Sequence, residues 1–174
     1  IGAINNKIKL SDQKNDGSSE LTSFFERDNK NVSIPSHLIE SRGTIRFLNL
    51  YPIIKRVLLT GGVLIVDEFA SSIHPIVLLE VVNIFHNDEI NVNKAQLIFN
   101  THNPIFLNNS ILRRDEIKFV EVDENGSNIY SLADFQSSGN GGIETNDDHT
   151  KNYFSNKYGA IPDVNLSTLL SDKW

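Results

Sequence analysis

Two adjacent acids, Asp67 and Glu68, close a run of four apolar residues, Val63-Leu64-Ile65-Val66. A short stretch apolar at every position suits a strand buried on both faces of a parallel sheet. The carboxyl end of such a strand is where open α/β sheets bind ligands. Carboxylates held at that rim do metal and water chemistry. An Asp there offers oxygen to Mg²⁺, which keeps most of its own water, and a neighbouring Glu can orient and polarise a water for attack on a phosphoryl group. The plain alternative is a core strand followed by a charged turn. His102 follows a second apolar run, Ala95–Phe99, through Asn100 and Thr101. An imidazole at the end of a neighbouring strand can donate to a phosphate, and a second contact can fix its tautomer. A lone histidine is otherwise a satisfied surface or core residue.

Two loops could add to that chemistry. Glu40-Ser41-Arg42-Gly43-Thr44 stands just before an apolar-periodic stretch. A Ser hydroxyl and a Gly amide at a helix N-terminus suit an anion, because free N–H groups and the helix dipole converge there; the bland reading is an ordinary N-cap. Phe69-Ala70-Ser71-Ser72-Ile73-His74-Pro75 follows the acids. His74 is placed to cap the helix that Pro75 opens. Arg113-Arg114 offer a basic pair to nucleic acid or a protein partner, or form a solvated face balanced by Asp115 and Glu116. Asp147-Asp148-His149 has the residue types of metal ligands but sits in a Ser, Gly, Asn and Asp segment, 136–150, that reads as a flexible loop.

The elements that must position these residues are legible in outline. Residues 1–20 read as a strand fragment and a loose turn. Leu21–Ile39 reads as a hairpin with Pro35 at the end or edge of its second strand. Phe47, Leu50, Tyr51, Ile54, Val57 and Leu58 recur at helical spacing over 44–59, and Gly61-Gly62 stop that helix. Strand 63–66, helix 76–85 and strand 95–99 follow. A hairpin turns at Asp123-Glu124-Asn125-Gly126, and 153–162 regains apolar residues that dock back on the domain. Phe24, Phe25 and the scattered Tyr are expected in the core. Strands and helices alternate, so the class is α/β.

Composition narrows the function classes. The 174 residues carry a net charge of −6, with no Cys and no Met. Disulfide frameworks, zinc ribbons and thiol nucleophiles are excluded, and the acidic balance argues against a general nucleic-acid coat. The chain opens Ile1-Gly2-Ala3 with no basic-apolar leader, and no apolar run approaches the ~20 residues of a membrane span. A cytoplasmic location with no membrane partner is expected. The lack of Met suggests a processed chain or a fragment.

In order along the chain stand a Ser-x-Gly-Thr loop, a helix, an apolar strand ending in Asp-Glu, a small-residue loop, a second helix, and a strand leading to His. That order resembles the C-terminal half of an ABC-type ATPase head, with Asp67-Glu68 in the Walker B pattern. More narrowly, it resembles the AAA-like ATP-binding proteins of bacterial abortive-infection and other phage-defence operons, whose heads are SMC-like. The matching strings are ESRGT (40–44), GGVLIVDEFASSIHP (61–75), AQLIFNTHNP (95–104), ILRRDEIKFVE (111–121), IYSLADF (129–135) and KYGAIPD (157–163). The resemblance implies a P-loop NTPase lobe with a mostly parallel sheet flanked by helices, a late β-hairpin, and ATP with Mg²⁺ as cofactors. It implies that Asp67 binds the metal and that Glu68 and His102 are catalytic. Ser41, Gly43 and Thr44 of the signature-like loop, with Ser72 and His74 of the loop crossing the interface, would contact nucleotide at a head-to-head homodimer. The cycle would drive a partner nuclease or toxin.

Two departures qualify the resemblance. Arg42 replaces a Gly of the transporter consensus, and His74 stands where many transporters have Asp. No G-x-x-x-x-G-K-[ST] occurs in the 174 residues, although a Gly-rich amide cradle and its Lys are the main phosphate-binding device of such folds. The N-terminal Walker A lobe is therefore expected to be missing, and 1–174 to be part of a head that alone binds ATP poorly. The rival reading is a non-catalytic truncated head used for dimerisation or assembly. A metal-dependent nuclease of the Toprim kind would need D-x-D after a strand, and none follows one here.

Overall fold

The computed structural model describes residues 6–10, 21–27, 30–124, 126–135, 147–162 and 167. The chain divides into two compact units, Ile1–His102 and Asn103–Trp174. The first unit opens with a three-stranded antiparallel sheet, β1 (Asn6–Leu10), β2 (Leu21–Arg27) and β3 (Lys30–Pro35). A one-turn helix, α1 (Ser36–Ile39), follows, then the long α2 (Arg42–Thr60). Strand β4 (Val63–Val66) is joined through α3 (Pro75–His86) to β5 (Gln96–Phe99). Parallel strands need a crossover of a dozen or more residues, and α3 supplies it.

The termini of α2 were both readable. Ser41 caps it, its Oγ accepting from the Thr44 N–H at 3.0 Å. Gly61 ends it in the left-handed region at φ +70, where an L side chain is strained. The helix runs through Pro52 without a break. Its apolar stripe is less buried than expected: Ile54 is buried, but Tyr51 is exposed. Phe24 and Phe25 are only half-buried. The core of this unit comes instead from α3, whose Leu78, Val81, Val82 and Phe85 recur at helical spacing, together with Leu64, Phe69, Ile73 and Ala95. The rings of Phe69 and Phe99 meet at 4.7 Å.

The sheet is not mostly parallel. Among the described residues β4 and β5 are the parallel pair, and the other ladders are antiparallel. Two residues separate β2 from β3, too few for the crossover that parallel pairing needs. Burial also differs from expectation. Leu64 is 7 % exposed, but its neighbour Ile65 is 74 % exposed, and Val63 and Ile98 are exposed as well. One face of the parallel pair is thus packed, and the other presents apolar side chains that no described element of this unit covers.

The loop from α3 to β5 is fixed by one buried side chain. Asn91 donates to the carbonyls of Phe85 and Ala95, both at 2.8 Å, and its Oδ1 accepts from the Ala95 N–H at 2.7 Å. Where β5 begins is thereby set by hydrogen bonding as well as by apolar pattern.

The second unit is built on the hairpin β6 (Lys118–Asp123) and β7 (Gly126–Ser131), as the turn signal predicted. Ile117, Phe119, Leu132 and Tyr158 form its core. Tyr158 is buried, so 153–162 does return to the unit. A short helix, α4 (His149–Phe154), begins inside the segment read as a loop, and 136–146 lie outside the described residues. Asp148 is its N-cap, accepting from the Lys151 N–H at 2.9 Å. His149 is 1 % exposed, with its Nδ1 2.6 Å from the Tyr158 hydroxyl. These residues are therefore packing and capping groups. Among the described residues no cluster of three His, Cys, Asp or Glu side chains could hold a metal. The arginine pair is likewise engaged internally. Arg114 donates to the carbonyls of Leu132 and Phe135, and Arg113 pairs with Asp115 at 3.0 Å. No helix among the described residues is long and apolar enough to cross a membrane.

Burial, and then the nearby Arg114 charge, hold the His149 imidazole below the ordinary histidine value of 6.5, against the opposing pull of Asp147 and Asp148. The unfolded chain therefore binds the proton first as pH falls. Stability is fully present above about 6.5 and is lost as pH falls toward the depressed folded value. The expected result is a melting temperature that drops on going from neutral to mildly acid pH. That drop should shrink in His149→Gln, as read by circular dichroism.

Candidate active site at the carboxyl ends of the parallel strands

The register that pairs Val66 with Phe99 brings the residues after β4 level with those after β5. Asp67 and Glu68 leave one strand; Asn100, Thr101 and His102 leave the other. The Glu68 carboxylate lies 3.2 Å from His102 Nδ1, with the two side chains 53 % and 80 % exposed. A contact so exposed contributes little stability, but both groups are open to a ligand. Asp67 is exposed too, and its Oδ1 accepts from Asn100 Nδ2 at 2.7 Å. The two acids and the imidazole therefore share one rim.

The turn that presents the acids is held from two sides. On the β5 side, the Glu68 N–H donates to Asn100 Oδ1 at 2.7 Å and the Phe69 N–H donates to the Asn100 carbonyl at 3.1 Å. On the α2 side, Arg46 donates to the carbonyls of Asp67 at 3.2 Å and Glu68 at 2.8 Å. Glu68 itself takes φ +52, a left-handed conformation uncommon for a residue with a side chain. Neither Asn100 nor Arg46 was singled out by sequence reasoning. An Asn closing an apolar strand beside an acid-tipped one was the available signal; Arg46 carried none.

The other candidates lie on the two loops of the same unit. Glu40, just ahead of the cap, accepts from Ser23 Oγ at 2.9 Å, which ties the loop to β2. Ser41 and Thr44 pair through their hydroxyls at 2.9 Å. Gly43 abuts the small-residue loop: a Cβ there would stand 2.1 Å from the Ser72 carbonyl oxygen. Ser72 is itself left-handed, at φ +65. His74 caps α3, its Nδ1 accepting from the Ile76 N–H at 3.3 Å. The fold thus brings Asp67, Glu68 and His102 together, and it packs Gly43 on Ser72.

The family described as AAA domain, putative AbiEii toxin, type IV TA system matches residues 2–108, more than half of the chain. The chain belongs to this AAA-domain family. No curated protein and no solved structure matches it significantly. AAA-type domains are nucleotide-binding modules of ATPase type that generally use ATP and Mg²⁺, and the mixed α/β fold with small sheets fits a P-loop NTPase plan. The rim of this AAA-domain chain suits the metal. It offers carboxylate oxygen, with Asp67 Oδ2 beside a hydrogen-bonded Oδ1, and Mg²⁺ takes one or two carboxylates while keeping several waters. Asp67 would hold it. The residues present suit the metal and terminal-phosphate end of a nucleotide; no sequence for the Gly-rich amide cradle is among them.

Proposed function

We propose that the chain is the catalytic part of a dimerising ATPase head of ABC-type, SMC-like plan, acting in phage defence. The observation that carries this is the convergence of Asp67, Glu68 and His102 on one rim, with Glu68 and His102 at 3.2 Å. Bound at Asp67, Mg²⁺ would neutralise charge developing on the β- and γ-phosphate oxygens. Glu68 orients the attacking water and draws on its proton. His102 Nδ1 donates to Glu68, so its Nε2 can also donate to the γ-phosphate when the ring is the doubly protonated imidazolium. Both residues work in a site that the remaining polypeptide of the head must close against water. The uncovered apolar face of β4 and β5 supports a head completed by further polypeptide carrying the P-loop.

Across the dimer, the exposed Ser41 and half-buried Thr44 hydroxyls and the first amides of α2 meet the nucleotide of the other subunit, and Ser72 and His74 lie on the interface loop. ATP binding closes such a dimer and hydrolysis reopens it, because the two states differ in affinity for the nucleotide. The coupled output is a nuclease or toxin partner. The rival, a non-catalytic head used for assembly, is favoured by the lack of any P-loop string in the 174 residues.

The interface is tested with Ser41→Arg in the full-length gene product. With ATP and Mg²⁺, the unaltered protein should run as a dimer in size-exclusion chromatography with light scattering. The variant should stay monomeric with its far-UV spectrum unchanged. A dimer that forms equally in both removes the signature loop from the interface.

A further inference from the structure

Asn100 makes four hydrogen bonds around the acid turn, two through its backbone and two through its side chain. We infer that Asn100 is a positioning residue, whose one carboxamide sets both acids: it selects the Asp67 oxygen left for the cation and holds the backbone from which Glu68 projects. The inference rests on the reading of Asp67, Glu68 and His102 as the nucleotide-facing trio.

The two side-chain bonds have opposite polarity. Nδ2 can only donate, and it meets Asp67 Oδ1 at 2.7 Å; Oδ1 can only accept, and it meets the Glu68 N–H at 2.7 Å. Rotating the amide by half a turn would set oxygen against carboxylate and N–H against N–H, so its sense is determined by its partners. On Asp67 the donation engages one oxygen and leaves the other for a cation that binds carboxylates through one atom and keeps its waters. On Glu68 it stabilises a left-handed residue, φ +52, that a free turn would seldom adopt. Asn100 also lies two residues before His102, and its N–H donates to the Val66 carbonyl at 3.3 Å. One residue thereby joins the end of β4, both acids and the histidine-bearing segment. Arg46 reaches only the two carbonyls of the turn, so it holds the turn without addressing either carboxylate.

The cation half is tested on the 174-residue chain without nucleotide. Mn²⁺ is titrated in and followed by line broadening of the backbone amide resonances. The unaltered chain should broaden first at residues 66–68 and 100–102, and Asp67→Asn should abolish this. Asn100→Ala should weaken the apparent Mn²⁺ affinity by ~10-fold, the usual range for losing a hydrogen bond to a ligand. Arg46→Ala should weaken it less. Asn100→Asp covers the case in which the alanine variant does not fold, since it is isosteric. In the full-length gene product its turnover should fall by ~10-fold or more at pH 8, where oxygen faces oxygen.

Mn²⁺ broadening that Asp67→Asn abolishes but Asn100→Ala leaves at full affinity overturns this inference and spares the site. Unimpaired turnover in Asn100→Asp overturns it as well. No site-specific broadening in the unaltered chain overturns both the site and the inference.

Discussion

Glutamine in place of Glu68 leaves ATP binding by the full-length gene product intact and lowers steady-state turnover by ~10²-fold or more, the usual contribution of a positioned general base. The substitution is isosteric and keeps the left-handed turn, because the bonds that hold residue 68 run through its backbone N–H and carbonyl. It also keeps an oxygen or nitrogen facing His102. On the proposed mechanism it removes the negative charge that draws on the water proton. Nucleotide should then be bound and held, so the proposed ATP-dependent dimer should accumulate rather than disappear. Turnover is read by phosphate release, and retention by filter binding with labelled ATP. Unchanged turnover would reduce Asp67-Glu68 to a charged turn after a core strand.

Alanine at Gly43 is the second large effect, and it is one of stability. The added Cβ would stand 2.1 Å from the Ser72 carbonyl oxygen and 3.2 Å from its carbon. Both are backbone atoms, which cannot swing aside as a side chain would. The first turn of α2 and the Ser71–Ile73 loop must separate, and such overpacking costs ~1–3 kcal/mol. For a chain of this size each kcal/mol lowers the melting temperature by ~2–4 °C. Gly62 is the control. A Cβ there meets nothing closer than Thr60 Oγ1 at 3.5 Å, so Gly62→Ala should stay within about 0.5 kcal/mol of the unaltered chain. Equal melting temperatures for the two variants would remove the contact as the reason for glycine at 43. The comparison also bears on the interface: a dimer lost in Gly43→Ala reports a displaced loop, whereas one lost in Ser41→Arg reports the contact itself.

What was legible in the sequence was what local chemistry dictates. Ser41 and Gly61 bracket α2 because one residue type accepts from a free N–H and the other tolerates a positive φ. The apolar runs 63–66 and 95–99 gave strands within a residue, and the Asp-Glu-Asn-Gly signal gave the hairpin. The acid pair and the imidazole were found because each terminates such a run. What was not legible depends on tertiary pairing. Strand pairing is not encoded in an apolar run of four: the hairpin over 21–39 was legible, but the addition of β1 to it as a third antiparallel strand was not. Asn100 and Arg46 act on residues 33 and 22 positions away, with no local period to reveal them. Arg114 and His149 stand in polar strings that read as solvated. The fold buries His149 and turns Arg114 inward onto two carbonyls.

The amide of Asn91 spans the three residues 92–94 and closes on Ala95. Those three residues are exposed, and Asn93 among them donates to the carbonyls of Leu58 and Leu59 at 3.1 and 3.0 Å, which ties this tip to the end of α2. Between Ala95 and His102 the spacing is stricter. Successive side chains alternate across a strand, and one extra residue would swing the carboxamide at 100 and the imidazole at 102 to the far side of the sheet from the acids. A residue inserted between Ala95 and His102 should therefore break the contacts of the rim, whereas one inserted at 92–94 should spare them and cost the bonds of Asn93.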